Sequence, residues 1–501
     1  MYLLGYDIGS SSIKAALVRA KDGVQIDLVQ YPAKEMEMIA QQAGWAEQQP
    51  QLWWDNLCKA TKKIIQNHQI DATEIKGIGI AYQMHGLVLV DKNQEVLRPS
   101  IIWCDSRAVP IGKQAFEDMG EAYCLSHLLN SPGNFTASKL KWVKDNEPVI
   151  YERIHKIMLP GDYIAMKLSG EICTTVSGLS EGIFWDFKND ALSDELMTYY
   201  GIDKNLIPTI QPTFSQQGNV SQKAALATGL AAGTPITYRA GDQPNNALSL
   251  NVLRPGEVAA TGGTSGVVYG VVDTPAYDTQ SRVNGFAHVN HEKENPHIGI
   301  LLCINGAGIQ YSWLKNQVAD QQESYESMEA KLSQIPIGSD GLRILPFGNG
   351  AERMLANQSP GAQLINLNFN RHQQAHLYRA GLEGIAFSFV YGMEILKEMG
   401  LNLSVIRVGN DNLFQSNTFS TTIATLVDSK IEVMKTTGAI GAAKAAGVAV
   451  GIYTSLEEAM SNNQLVKSYL PLTQKEEHQA AYDLWRNDLK RILNHKEVKK
   501  S

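Results

Sequence analysis

Two short polar loops in this chain have the composition of anion sites. The first reads Tyr6-Asp7-Ile8-Gly9-Ser10-Ser11-Ser12-Ile13-Lys14, and the second Ala260-Thr261-Gly262-Gly263-Thr264-Ser265-Gly266-Val267-Val268. Each lies between apolar runs, at 2–5 and 13–18 for the first and at 258–260 and 267–272 for the second. That pattern predicts strand, tight polar turn, strand. Small residues let a backbone approach a ligand closely, and turn amides with hydroxyls make a concavity for phosphate oxygens. A Gly/Ser hairpin can also be an ordinary turn. Its repetition in two halves of one chain points instead to a polyphosphate gripped from both sides. The copies differ at one position, where Asp7 aligns with Thr261. The first loop can therefore serve a metal, while the second serves only phosphate oxygens. Neither loop ends in the Gly-Lys-Ser/Thr of a Walker A motif or carries a GxGxxG dinucleotide pattern.

Holding those loops face to face requires two similar halves. In the first, strands are expected at 2–7, 13–19 and 24–30, then a helix at 50–67 with Trp53, Leu57, Ile64 and Ile65 inward. A buried strand at 75–82 leads into Gln83-Met84-His85-Gly86, and 87–90 with 96–97 reads as a hairpin. A strand at 100–103 runs into Cys104-Asp105-Ser106-Arg107, and 110–230 reads as mostly helical. A strand at 236–239 ends in Ala240-Gly241-Asp242-Gln243. The pattern then restarts with strands at 257–261 and 267–272, a long loop at 273–298 and a strand at 298–303. A helix at 373–399, a strand at 404–408 ending in Gly409-Asn410-Asp411, a helix at 415–427 and a Gly/Ala-rich helix at 439–450 follow. The main boundary falls near 247–255. It divides the chain into a lobe at 1–250, a lobe at 251–485 and a basic tail at 486–501, a duplicated α/β architecture with a cleft between lobes.

Bulk properties narrow the function classes. A chain of 501 residues is too long for one ordinary core. It is 44% hydrophobic and 19% charged, which is ordinary globular composition. A net charge of −7 argues against nucleic acid as the main partner. No signal-peptide pattern and no long apolar span is present, so no membrane partner is expected. The cysteines, at 58, 104, 124, 173 and 303, include no CxxC pair and read as reduced thiols of a cytoplasmic protein.

Several motifs, taken jointly, carry a resemblance. They are Asp7-Ile8-Gly9-Ser10-Ser11, Trp45-Ala46-Glu47-Gln48 with Trp53-Trp54, Gln83-Met84-His85-Gly86, Trp103-Cys104-Asp105-Ser106-Arg107, Phe135-Thr136-Ala137 with Lys139 and Trp142, Leu159-Pro160-Gly161-Asp162-Tyr163, Gly241-Asp242-Gln243, and Gly263-Thr264-Ser265-Gly266. On these the chain resembles the FGGY family of carbohydrate kinases over essentially its whole length. The resemblance implies α/β lobes of the ribonuclease-H-like, actin-like ATPase fold, with an interlobe cleft. It also implies ATP-dependent phosphorylation of a ketopentose, with D-xylulose as the leading expectation. L-xylulose, ribulose, fuculose, a deoxyketose, a polyol or a weakly active sugar sensor are the alternatives. Departures from the family pattern are Gly409-Asn410-Asp411-Asn412 in place of Gly-Gly-Gly-Ala, and Gln243 where Asn is more frequent.

The same resemblance distributes roles. Asp242 becomes the base that takes the proton of the attacking hydroxyl, and Asp7 holds Mg²⁺ through water, with Asp242 sharing that site. Gly9, Ser10, Ser11 and Lys14 face the γ-phosphate, while Gly263, Thr264 and Ser265 hold the α- and β-phosphates. Gly409 and Asn410 meet the adenosine, and Gly441 with Ala442 let the purine lie flat. Gln83, Met84, His85, Trp103, Asp242 and Gln243 form the sugar site, with Trp103 stacked on the sugar. Asp105 and Arg107 brace the pocket as a pair. ATP, Mg²⁺ and a small sugar are thus the expected ligands, and a homodimer is left open.

Overall fold

The structure, a computed structural model, describes residues 1–497. Two sheets organise it, and they share one plan. In the first, the strands lie in the order Ile236–Gly241, Ile75–Tyr82, Tyr2–Ile8, Ile13–Arg19, Gln25–Tyr31. The last three form an antiparallel meander, and the first two run parallel to Tyr2–Ile8. The second sheet repeats this with Ile298–Ile304, Gly266–Val272 and Glu257–Gly262 as the meander and Val405–Gly409 and Ile431–Lys435 as the parallel pair. Asn284–Ala287 and Gln464–Tyr469 extend its two edges. Both polar loops are therefore the first hairpin turns of equivalent sheets. Ile8 pairs with Ile13 across one turn, and Gly262 with Gly266 across the other. The equivalence of Asp7 and Thr261 is thus one of sheet position. These are the two actin-like, ribonuclease-H-like lobes of the expected α/β fold.

The strands form because their inward residues are apolar on both faces. Leu3, Leu4, Tyr6 and Ile8 are all fully buried, as are Ile78, Ile80, Ala81 and Tyr82. Helices cover the first sheet on both sides. Pro50–His68 packs on one face through Trp53, Leu57, Ala60 and Ile64, starting at a proline whose missing N–H costs nothing there. The other face is covered by Gly438–Ala449, which comes from the second half of the chain. A methyl at Gly5 would sit 1.9 Å from the Ala439 carbonyl oxygen, and one at Gly79 1.9 Å from that of Ala442. The small residues of this helix serve helix-on-sheet packing, not a flat purine. Gly441 meets Ser249, and Ala442 is fully buried.

This helix reaches across the division at residue 250, since the second half of the chain supplies one cover of the first sheet. The expected hairpin of 87–90 with 96–97 forms, with Val90 bridged to Val96 and the Leu97 amide donating to the Leu89 carbonyl at 2.9 Å, and Val88–Val90 also pairs with Lys156–Met158. Two expectations change. The strand expected at 100–103 is Ser100–Ile101, paired with Glu47–Gln48, so Trp103 lies beyond it. The expected loop 273–298 contains the strand Asn284–Ala287. At the C-terminus, the expected tail at 486–501 is a continuation of the helix Lys475–Glu497, with Leu489 buried; 498–501 lie outside the described residues. Among the described residues no helix is long and apolar enough to cross a membrane, and all five cysteines are free.

Candidate active site

The strand ends of the first sheet bring the two carboxylates together. Asp7 is the last but one residue of Tyr2–Ile8, with Lys14 as its cross-strand partner. Asp242 opens the helix Asp242–Ser249 directly after its strand. Burial holds the Asp7 carboxyl above the usual carboxylate range, with Lys14 opposing. Burial, then the charge of Asp7, pushes Asp242 up to about 7. A helix N-terminus favours a carboxylate's charge, but here desolvation outweighs it. Gly438 begins the small-residue helix against Asp7, since a methyl there would lie 3.2 Å from Asp7 Oδ2. Two half-buried, mutually repelling carboxylates form a donor set that suits a hard divalent cation. Among the described residues no three or more His, Cys, Asp or Glu converge as a closed metal cage.

Each hairpin turn is anchored through its carbonyls. In the first, the Ser10 carbonyl accepts from Gln48 Nε2 at 2.7 Å and that of Ser11 from the Met36 amide at 2.9 Å. In the second, the carbonyls of Gly263 and Thr264 accept from the amides of Gly308 and Ile309 at 3.0 and 2.9 Å. Gly308 starts the helix Gly308–Gln317, and a methyl on it would meet the Gly263 oxygen at 2.2 Å. Beside this second turn opens a cavity of about 640 Å³. Gly262, Gly263 and Thr264 form one wall, Tyr311, Ser312 and Tyr325 another, and Asn412, Gln415 and Ser416 a third. A nucleotide's size and its mix of polar and apolar surface fit such a space. Gly409 ends its strand and Asn410 follows it, and neither lines the cavity; that loop's lining starts at Asn412.

Around the other end of the cleft stand Gln83, Met84, His85 and Trp103. Gln83 is buried, its amide nitrogen 3.5 Å from Gln48 Oε1 and its own Oε1 without a partner. Met84 fills the space over Gly241, where a methyl would lie 2.6 Å from Cγ. Trp103 is 52% exposed, and its indole N–H donates to Ser10 Oγ at 3.4 Å, so it bridges toward the phosphate loop instead of closing a strand. Gln243 follows Asp242 and lowers its carboxyl's affinity for the proton by hydrogen bonding. Asp105 and Arg107 pair with each other, and the guanidinium stacks 3.7 Å from the Trp45 ring centre and reaches Glu47 at 2.6 Å.

His85 is the most informative of these. Its Nδ1 lies 2.9 Å from the Glu181 carbonyl oxygen, which can only accept, so Nδ1 carries the proton. Nε2 then presents a lone pair, and it has no hydrogen-bond partner among the described residues. Burial first, then the charges of Lys139 and Arg353, hold the imidazole near 3, so it stays neutral at physiological pH. Phe135 and Phe286 flank the ring at 4.8 and 5.5 Å. Sequence reasoning did not single out Glu181, Phe286 or Arg353. Phe286 sits on the strand missed in the 273–298 segment. Arg353 has Nε on the Ser281 carbonyl at 2.8 Å and Nη1 on Asn284 Oδ1 at 2.5 Å. Glu181 stands alone in a polar stretch with no periodic signal.

Comparison with known proteins agrees with this geometry. The N-terminal domain model of the FGGY family of carbohydrate kinases matches residues 2–249, and its C-terminal domain model matches 258–450. The xylulose kinase of Bacillus subtilis (strain 168) is 28% identical, over 97% of this chain and 96% of that protein. The xylulose kinase of Escherichia coli (strain K12) is 26% identical over 98% of each. A ligand-bound xylulose kinase from Lactobacillus acidophilus shares the fold with a TM-score of 0.89 at 22% identity over the whole of both chains. With both domain models spanning most of its length, the chain belongs to the FGGY family of carbohydrate kinases, phosphotransferases that act on an alcohol group.

Proposed function

We propose that this protein transfers the γ-phosphoryl group of ATP to D-xylulose, giving D-xylulose 5-phosphate. The observation that carries the reading is the electrostatically coupled pair Asp7 and Asp242 at strand ends that flank Ile75–Tyr82, the strand that leads into the neutral acceptor His85. The names of the full-length relatives support the choice of sugar.

In this reading Asp242 accepts a hydrogen bond from the attacking hydroxyl and orients it in line. Its raised pKa makes it a better base than a surface carboxylate, and it takes the proton as the bond to phosphorus forms. The amides and hydroxyls of Ser10 and Ser11 meet the γ-phosphate from the first lobe, with Lys14 adding charge. The amides of Gly263 and Ser265 and the Thr264 hydroxyl meet the α- and β-phosphates from the second. Gly409 and Asn410 contribute at the rim of the adenosine cavity, behind Asn412. Asp7 and Asp242 are the residues that would hold Mg²⁺ through water, and the bound ion supplies charge neutralisation to the polyphosphate. Gln83, Met84, His85, Trp103 and Gln243 surround the sugar.

A coupled ADP-release assay of the purified protein against a panel of ketoses, aldonates and polyols tests this. The highest kcat/KM is expected with D-xylulose. A tenfold preference for another acceptor overturns the sugar assignment, and no sugar-stimulated ADP release with any acceptor overturns the kinase reading.

A further inference from the structure

His85 has the backbone of a residue held under constraint. Its φ is +62°, a left-handed conformation that a residue with a side chain keeps only when its surroundings impose it. Three hydrogen bonds impose it here. The His85 amide donates to Glu181 Oε2 at 2.9 Å, the Nδ1–H donates to the Glu181 carbonyl at 2.9 Å, and Lys139 Nζ donates to the His85 carbonyl at 2.9 Å. Glu181 thus supplies two of the three. It is itself 1% exposed, and its second carboxyl oxygen, Oε1, is buried without a partner. That oxygen faces Gly241, where a methyl would come within 3.3 Å of it. One side chain therefore lies between the residue before Asp242 and the ring beside it.

The support behind Glu181 is firm. It ends the helix Val176–Glu181, which is bonded to the second sheet's edge strand. Ser177 Oγ donates to the Ala287 carbonyl at 3.2 Å, and the Ala287 amide donates to Ser180 Oγ at 3.0 Å. Lys139 is held from the other side by the Ile102 carbonyl at 3.0 Å. With both backbone groups and Nδ1 engaged, the imidazole has one free atom, the Nε2 lone pair.

We propose that Glu181 is the positioning residue of the sugar end: its main-chain carbonyl fixes His85 as an obligatory hydrogen-bond acceptor and its carboxyl, through the His85 amide, fixes where that acceptor sits, so the site selects sugars that present a hydroxyl hydrogen to Nε2 and rejects analogues with a deoxygenated or carbonyl carbon there. This rests on the reading that His85 contacts the sugar. The discrimination follows because an analogue without that hydroxyl leaves the Nε2 lone pair unpaired once the sugar covers it.

The experiment compares Glu181→Gln, Glu181→Met and His85→Ala, assayed with the best substrate and its monodeoxy analogues. Gln keeps an acceptor oxygen and the volume, whereas Met keeps only the volume. Glu181→Gln should hold the sugar KM within about threefold, while Glu181→Met should raise it about tenfold or more and leave the ATP KM within about twofold. One monodeoxy analogue should be rejected by about 100-fold or more in kcat/KM by the unaltered protein, and this ratio should collapse in Glu181→Met. The ¹⁵N NMR signals of the unaltered protein should show His85 with Nδ1 protonated and Nε2 bare, which keeps the proposal testable even if Glu181→Met does not fold. An unchanged sugar KM in His85→Ala would remove the underlying reading. A raised KM in His85→Ala with none in Glu181→Met would overturn the positioning role alone. Equal damage from Gln and Met would overturn positioning through the carboxyl oxygen, and a protonated Nε2 would overturn the acceptor argument.

Discussion

At the scale of single residues, the tuned acidity of Asp242 has consequences that can be separated. Asp242→Asn should lower kcat by about 10²–10⁴-fold while sugar affinity is kept, since orientation survives and proton acceptance does not. Because the carboxyl sits at about 7, kcat/KM of the native enzyme should fall as pH drops below about 7. The stability effect has the opposite dependence. An acid whose folded pKa lies above its ordinary 3.8 favours the fold while protonated, and that contribution is lost as pH rises from about 4 through about 7. Asp242→Asn should therefore raise the melting temperature at pH 8 and leave it unchanged near pH 4. Equal shifts at both pH values would show that Asp242 is not desolvated as described. On the other lobe, Thr264→Val removes one hydroxyl from the cavity wall. It should weaken ATP binding by about tenfold with the sugar KM unmoved, as calorimetry can establish.

At the scale of elements, the sites are held by close backbone contacts that tolerate no added methyl. Gly79→Ala places a carbon 1.9 Å from the Ala442 oxygen, which a backbone neighbour cannot accommodate by a rotamer change. A destabilisation of about 1–3 kcal/mol or more is expected, read as a lower melting temperature. Gly400→Ala, with nothing within 4 Å but a φ of +96°, should destabilise through backbone strain alone. The strands and long helices were legible because burial on both faces writes an unbroken apolar run into the strands and packing writes a length of apolar turns into the helix: Tyr2–Ile8, Ile75–Tyr82 and Gln374–Glu398 all lie within two residues of expectation. The paired turns were legible because both follow an apolar strand with a run of small hydroxylated residues. What stayed hidden depended on long-range partners. The strand Asn284–Ala287 has only four residues and is recognisable by its pairing with Ile298–Ile304. The residence of Gly438–Ala449 on the first sheet follows from Gly5 and Gly79, more than 350 positions away in sequence. Glu181 is functional only through the bonds that His85 makes to it, and no local pattern announces such a partner.

At the scale of the whole molecule, the route of the chain between the sheets sets which motion is available. The chain crosses from the helix Asp242–Ser249 to the strand Glu257–Gly262, returns from Ile431–Lys435 to the helix Gly438–Ala449, and crosses again to Gln464–Tyr469. The boundary at 247–255 is thus one of several crossings that must bend together. The lobes are also bonded where the helix Val176–Glu181 meets Asn284–Ala287, at the His85 end of the cleft. Closure should therefore be a rotation that leaves this seam in place and draws the two polar turns together at the other end. Such a movement expels water from the γ-phosphate only when sugar and nucleotide are both present. Small-angle scattering should show a smaller radius of gyration for the protein with sugar and a non-hydrolysable ATP analogue than for the free protein, with sugar alone in between. Hydrogen exchange should slow at 9–12 and 263–265 on closure and stay unchanged at 284–287, whose bonds are already made. Identical radii in all states would count against closure, and slowed exchange confined to 284–287 would place the moving edge at the sugar end instead of the phosphate end.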